Sequence, residues 1–561
     1  MKTHCSIEGT SVSKVEGGLK RNAIAMFEVD PRSITVILVL AALFISRRAI
    51  RKAATNSGKP LPPGPPPLPI VGNALAIDAA APWKAYMEWG KTYGDLIYTR
   101  LLSQDVVVIN SEKVARDLLD KRSYNYSDRP LLVTTELFGW MFNVALLRYG
   151  NGWRQHRRLM HDKLRSTAAL TYRPLQMRKA HQLLVDLYEA PNDFVLHLQT
   201  MAASTIMSIT YGYETQRRDD PLVALVGNAL VQGLKVMTPE AAAILGTWPF
   251  LLYLPSWFPG AGFKKQAQES CIMVNEMIEK PFEYTASRMA SNDATACMVS
   301  DLLGQIKGKD NYDGLERVVK NVASTSFAGG SETTTSTFVN FVLAMVLYPD
   351  VQERAQAEID SVMDGNRLPN FDDRDSLPYV EAILRESFRW HPVFPLGVAH
   401  AAVSDDIYEG YHIPKGATVI ANVWFVLLTH SLALYVDQPA LYRAMTRNEA
   451  KYPNPSQFKP ERFFTSDGKL NDDKVLYTFG FGRRICVGHH VADATVWAAI
   501  ASLLAVFKFT KALDGQGKEI DIEPRWTAGI AVRPLPFVCN IQPRSPALTL
   551  QKLHQMIDQF A

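Results

Sequence analysis

Cysteine is scarce in this chain. There are five in 561 residues, at Cys5, Cys271, Cys297, Cys486 and Cys539, and no two form a C-x-x-C pair. That argues against a zinc site or redox dithiol, and for a reducing compartment without structural disulfides. An excess of one charge is also missing: the formal net charge is +4, too little over this length to argue for nucleic acid, which needs a concentrated basic face. There is no internal repeat, and no low-complexity tract apart from one proline segment. Length alone allows two to four domains or one large enzyme. The 47% hydrophobic and 21% charged residues are enough to bury a sizeable core.

Residues 1–33 are polar and unpatterned. Ile34–Ile45 reads ITVILVLAALFI and is followed by Arg47, Arg48, Arg51 and Lys52. Twelve apolar residues fall short of the roughly 20 that span a bilayer, but with tilt or local thinning they can anchor a chain. The basic residues put their side of the run in the cytoplasm. A buried helix and a cleaved signal peptide are the other readings. No A-x-A-like cleavage site follows, and the charges lie on the wrong side for a signal. The expected division is an N-terminal segment (1–33), a membrane anchor (34–52), a stiff hinge (53–69) ending in LPPGPPPLP, a catalytic domain (70–545) and a tail (546–561). Met26 is spaced as a natural start, so 1–25 reads as a gene-model extension. The sequon Asn125-Tyr126-Ser127 would lie on the cytoplasmic side, unused.

Beyond the hinge the pattern is mostly helical. Periodicity predicts helices at Pro82–Tyr93, Gly152–Leu164, Gly314–Leu347, Ser376–His391 and His489–Lys508. Strands are expected at Leu96–Asn110, with a turn at Ser103–Asp105, at Asp406–Ile413 and at Thr418–Val423, with a closing hairpin over 529–544. Leu131–Leu147 reads as an apolar loop, a lid or pocket wall.

One cysteine has unusual neighbours. Phe479–Gly488 reads FGFGRRICVG. Gly480, Gly482 and Gly488 permit positive φ and close approach of a bulky ligand. Arg483 and Arg484 favour a thiolate, and the helix that follows turns its N-terminus to the sulfur or to an anion. A buried structural cysteine is the bland alternative. A second irregularity sits mid-helix, FAGGSETTTST at Phe327–Thr337. Gly329 and Gly330 would clear space for a ligand, while Glu332 and Thr333 would hold or relay a proton. Otherwise the threonines merely bond back to the helix and bend it.

These stretches together resemble the cytochrome P-450 family of haem-thiolate monooxygenases. Phe479, Gly482, Arg484, Cys486 and Gly488 fill all five fixed positions of its F-x-x-G-x-R-x-C-x-G signature. Gly329, Gly330, Glu332, Thr333 and Thr334 fit its A/G-G-x-D/E-T-T helix pattern. The resemblance implies a mainly α fold with a small β region, preceded by an anchor helix. It implies Cys486 as the axial ligand of haem b iron, with Phe479 packed near the sulfur. Arg484, and Trp153 with Arg157 on one helix face, would meet the haem propionates, as would His400. Glu332 and Thr333 would deliver protons. Glu386 and Arg389 (E-x-x-R) with Arg462 (P-E-R-F) would form a structural charge network, and Ile530 and Ala531 are candidate pocket residues.

The implied reaction is insertion of one oxygen atom from O2 into a lipophilic substrate, by hydroxylation or epoxidation. Electrons would pass from NADPH through the flavins of a separate cytochrome P-450 reductase, with cytochrome b5 as a further partner. The implied place is the endoplasmic reticulum membrane, catalytic domain in the cytoplasm. Details around Trp390-His391-Pro392 and Tyr408–Tyr411 resemble fungal microsomal members, which serve secondary metabolism (terpenoids, aromatics) or oxidise foreign lipophilic compounds such as polycyclic aromatics. A haem-thiolate isomerase or dehydratase, or a non-catalytic haem-binding isoform, is the alternative. One stretch lacks a family counterpart: Asn422-Val423-Trp424 would join directly to Ala444–Pro453, yet 425–443 intervenes with nineteen mostly apolar residues. It reads as a retained intron or an inserted loop.

The native protein is expected to begin at Met26. N-terminal sequencing that finds Lys2–Ala25 in the mature chain would sink that expectation.

Overall fold

The computed structural model describes residues 58–236, 239–363, 367–424 and 445–559. The 1–25 extension, the 34–52 anchor, the start of the hinge and the 425–443 segment therefore lie outside the described residues. Contacts divide the chain into Met1–Pro60 and a body from Leu61 to Ala561. All helices and strands among the described residues belong to that body.

The helices that build the site are α1 (Pro82–Tyr93), α2 (Asn151–Leu164), α3 (Arg173–Glu189), α4 (Phe194–Tyr211), α5 (Phe263–Ala290), α6 (Met298–Ile306), α7 (Tyr312–Leu347), α8 (Pro378–Trp390) and α9 (His489–Val506). The 36-residue α7 is central, packed by α2, α4, α5, α6, α8 and α9. Its second half, Phe338–Val346, is wholly buried and apolar but for Asn340, as befits a helix surrounded by helices. It joins α3, α8 and α9 in the largest hydrophobic cluster. Helix α9 is 18 residues long and apolar enough to cross a membrane, but 72% of it is buried within the protein. It is a core helix.

The small β region is assembled from distant parts of the chain. Strands β1 (Leu96–Leu101) and β2 (Gln104–Ile109) form a hairpin. To it are added β6 (Thr418–Ala421), parallel to β2, and then β3 (His400–Ala401). The strand expected over Asp406–Ile413 is a tight hairpin, β4 (Asp406–Tyr408) with β5 (Tyr411–Ile413). Glu409 and Gly410 turn it at φ +49° and +85°, the positive pair a two-residue hairpin turn needs. Helix α9 ends at Val506, sooner than expected, and Phe507–Lys511 continues as β7, paired with β8 (Cys539–Pro543). The expected 529–544 hairpin is thus split: β8 pairs with β7, while Pro534 bridges back to Trp526. The stretch Leu131–Leu147 is not a loose wall, since Phe138, Trp140, Phe142 and Val144 are buried in the core.

Behind the cysteine loop, Glu386 and Arg389 are fully buried, paired at 2.6 Å. The remaining bonds of this pair gather the strandless segment that follows residue 444. Arg389 donates to the carbonyls of Thr446 (2.8 Å) and Pro455 (3.0 Å), while Glu386 accepts from Lys459 N–H (2.7 Å) and Arg462 Nε (3.1 Å). The three expected members of the network are together. Arg447, which the sequence reading missed, donates to the Trp390 carbonyl at 2.8 Å, and burial pulls its guanidinium down to about 9. Thr446 N–H and Oγ1 both donate to the Val423 carbonyl (3.2 and 2.9 Å), so the chain on either side of 425–444 meets.

Replacing Glu386 by Gln is expected to cost about 3–5 kcal/mol in denaturant unfolding, because it strands buried guanidinium groups. Glu353→Gln, which breaks a surface pair with Lys508, should cost less than about 1 kcal/mol. Equal losses would refute the network's structural role.

Candidate functional site

The loop Phe479–Gly488 closes on itself through Cys486 N–H, which donates to the Phe479 carbonyl at 2.8 Å. Gly480 (φ +90°) and Gly482 (φ +53°) are left-handed. A Cβ on Gly482 would lie 2.1 Å from the Leu119 carbonyl oxygen, so this position is closed to any other residue. Gly488 differs from expectation: its φ is −88°, and its service is an amide directed at the Cys486 sulfur. The Phe479 ring sits between Phe388 (5.0 Å) and His489 (6.0 Å), walling one side of the loop.

By surface area Cys486 is exposed, yet burial is the largest influence on its thiol. The two agree if the sulfur opens onto space inside the protein. Burial pushes the thiol up, while the Gly488 amide and Arg157 pull it down. The cation felt by the sulfur is thus Arg157 on α2, not the expected Arg483 or Arg484. Arg483 reaches outward to the Tyr149 hydroxyl. With burial dominant the protein alone leaves a thiol, and a coordinated metal ion would supply the remaining drive to thiolate.

Arg484 lies 4.3 Å from the Trp153 ring and donates to the carbonyls of Ser127 and Leu147, both at 2.7 Å. Beside it is Arg129, unnoticed in the sequence, which donates to the carbonyls of Ala145, Val398 and Ala399, each at 2.8 Å. His400 Nδ1 meets the Tyr126 carbonyl at 2.7 Å and so carries the proton there. Burial, then Arg129, holds its pKa well below the usual histidine range. Burial also lowers Arg129, Arg157 and Arg484, the last to about 10. Among the described residues none of the three is ion-paired. The nearest carboxylate, Asp128, is taken by Arg148 and by Tyr149 N–H. Two buried guanidinium groups and a half-buried one, Arg157, none of them ion-paired, beside a soft sulfur donor fit a metal group that carries carboxylates at its edge.

On α7 the two glycines have different jobs. Gly329 is exposed within a buried stretch, and a Cβ there would meet nothing within 4 Å. A Cβ on Gly330 would lie 2.9 Å from Ile206 of α4, so Gly330 serves helix packing rather than ligand space. Thr333 Oγ1 donates back to the Gly329 carbonyl at 2.6 Å, and Thr335 and Thr337 bond back likewise at 3.0 Å. The local alternative for the threonines is therefore present. Glu332, half-buried, pairs with Arg533 at 3.1 Å. Burial raises its carboxyl and Arg533 opposes that. Phe327, Trp153 and Val487 share one hydrophobic cluster, which brings this part of α7, α2 and the cysteine loop into one neighbourhood.

The family description that matches the chain is Cytochrome P-450, over residues 62–434 and 438–541. The chain is 38% identical to cytochrome P-450 monooxygenase ple1 of Rhodocybe pseudopiperita, covering 86% of this chain and 90% of that one. It is 35% identical to tryptamine 4-monooxygenase of Psilocybe cyanescens (91% and 97%) and 36% identical to cytochrome P-450 monooxygenase claR of Ampulloclitocybe clavipes (93% and 92%).

The glycine geometry predicts opposite outcomes for neighbouring substitutions. Gly329→Ala should be neutral or raise stability by up to about 1 kcal/mol through helix propensity. Gly330→Ala should lower it by about 1–3 kcal/mol by overpacking α4. Thermal unfolding checks both, and equal stability of the two variants would overturn the packing role.

Proposed function

The chain belongs to the cytochrome P-450 family and is a haem-dependent fungal monooxygenase using O2, an organic substrate and external electrons, and from that premise we propose that Cys486 is its axial iron ligand. The observation that carries this is a sulfur with accessible surface that is nonetheless shielded from water, beside arginines that are ion-paired to no carboxylate. Haem bound there supplies oxygen activation and insertion of one atom into the substrate, the other leaving as water.

The chain's own residues do the rest. Arg157, Arg484, Arg129 and Trp153 hold the propionates, and His400, neutral and fixed at Nδ1, offers Nε2 beside them. The Gly488 amide and Arg157 moderate the electron density on the sulfur. Gly329, where a Cβ would meet nothing within 4 Å, would leave room for O2 and a lipophilic substrate. Thr333 Oγ1 keeps its lone pairs free while donating to the Gly329 carbonyl, so it can accept a proton-bearing partner, and Glu332 resupplies protons from outside.

The electrons come from NADPH through a separate flavoprotein reductase, with cytochrome b5 as a second donor, and 34–52 anchors the protein to the endoplasmic reticulum. The substrate is a terpenoid or aromatic compound of secondary metabolism. A relative named for tryptamine, an aromatic amine, supports the aromatic side of that range. Residues 425–443 we read as a retained intron, and what supports this is that Val423 and Thr446 on its two sides are hydrogen-bonded; the family match leaves out 435–437 alone.

The reduced carbon-monoxide difference spectrum of the full chain, and of a chain lacking 425–443, is expected to show the long-wavelength Soret band of thiolate ligation. Cys486→Ala should lose it while keeping its helical circular dichroism. Survival of the band in Cys486→Ala would overturn the ligand assignment.

A further inference from the structure

Glu332 has a partner 201 positions away in sequence, Arg533, whose Nη1 lies 3.1 Å from its Oε1. Nothing in the local sequence of α7 announces it. Arg533 is carried by the segment 525–535, which is tied down at several points. Thr527 N–H donates to the Arg533 carbonyl (2.9 Å), and Arg533 N–H donates to Thr527 Oγ1 (3.1 Å). Val532, 2% exposed, donates to the Val393 carbonyl at 2.8 Å. Trp526 stacks on His391 at 3.5 Å, and its Nε1 donates to Asn340 Oδ1 of α7 at 3.0 Å. The segment thus grips α7 at Asn340 and, about two turns earlier, at Glu332. The backbone is fixed, but the Arg533 side chain is 45% exposed and can turn away at little cost.

We propose that Arg533 is a positioning residue for proton delivery: it holds the Glu332 carboxylate one helical turn from Gly329 and sets its charge state between turnovers. The inference rests on the proton role given to Glu332 above. A carboxyl that relays protons must visit both forms. Burial favours the neutral acid and Arg533 the carboxylate, so swinging Arg533 toward or away from Glu332 tips the balance. Other titratable groups near α7 face other stretches: Tyr211 meets Ser324, His156 meets Asn321, and Lys320 pairs with Glu279. Ile206 of α4 faces Gly330 and is apolar.

The test is an infrared titration of the protonated-carboxyl band in the haem-loaded enzyme, assigned by its loss in Glu332→Gln. Arg533→Gln removes the charge that favours the carboxylate, so the band's midpoint should move to higher pH by about one to two units. Arg533→Lys should hold it near the parent value. With reductase and NADPH but no added substrate, Arg533→Gln should also change the share of electrons released as hydrogen peroxide, and Arg533→Lys should restore it. If Glu332→Gln alters neither band nor peroxide share, the proton role of Glu332 falls and this inference with it. If Glu332→Gln removes the band but Arg533→Gln leaves the midpoint in place, the Arg533 inference alone is overturned.

Discussion

A guanidinium group taken out of water must find an anion or a set of carbonyls, and the chain meets that constraint in two ways. Behind the cysteine loop, one carboxylate, Glu386, faces Arg389 and Arg462, with Arg447 alongside. Their remaining donors go mostly to carbonyls of the 446–457 segment and to that of Trp390, so this cluster is held by one carboxylate and a set of carbonyls. In front of the loop, Arg129, Arg157 and Arg484 are ion-paired to no carboxylate among the described residues, and two of them spend their donors on carbonyls instead. The first arrangement is built around a fully buried ion pair and is structural. The second leaves positive charge for something else to balance, and burial already disfavours it, so an anionic group bound there gains from both effects. The same residue type serves scaffold and site, separated by the presence of one glutamate.

Helix α7 shows how a site is fitted into a helix that must also pack. Consecutive glycines face different elements, Gly330 toward Ile206 and Gly329 toward open space, because successive residues lie about 100° apart around an α-helix. The threonines that follow satisfy their hydroxyls on carbonyls four residues back. That keeps a polar stretch buried at low cost, and leaves each oxygen able to accept a further bond. Back-bonding and proton handling therefore occupy different lone pairs of the same atom. The sequence posed them as alternatives, but they are compatible.

What could be read in advance were the features whose meaning is local. The helices at 82–93, 152–164, 314–347 and 376–391 follow from periodicity, and the structure moves their ends by two residues or fewer. The Cys486 loop and the E-x-x-R pair are short motifs in which every member lies within ten residues. What escaped depends on contacts across the chain. Arg533 has no spacing relation to Glu332. Arg129 was visible as a charge at the edge of the apolar 131–147 stretch, a hint that it needed carbonyl partners, but which ones depended on β3 and its approach. Gly488 was misjudged because glycine was equated with positive φ, when its amide was the part in use. Cys486 was judged by the charges beside it in sequence, whereas Arg157 on another helix and the burial of the loop decide the state of its thiol.

The segment 425–443, if it is an insertion as proposed, bears on how far such a body tolerates added chain. Its flanks are held to one another by the Thr446–Val423 bonds, and Thr446 also accepts from Arg389. Closing a loop of this length costs about 2–3 kcal/mol in chain entropy, comparable to one member of the buried charge network. Entropy alone therefore does not forbid the fold with the segment in place. Composition is the stronger objection, because FVLLTHSLALYVDQPALYR is mostly apolar, and an apolar stretch of that length needs a surface to cover it. The hydrogen bonds between Val423 and Thr446 already hold the two flanks together, and a shortened chain keeps the Thr446 carbonyl that Arg389 uses.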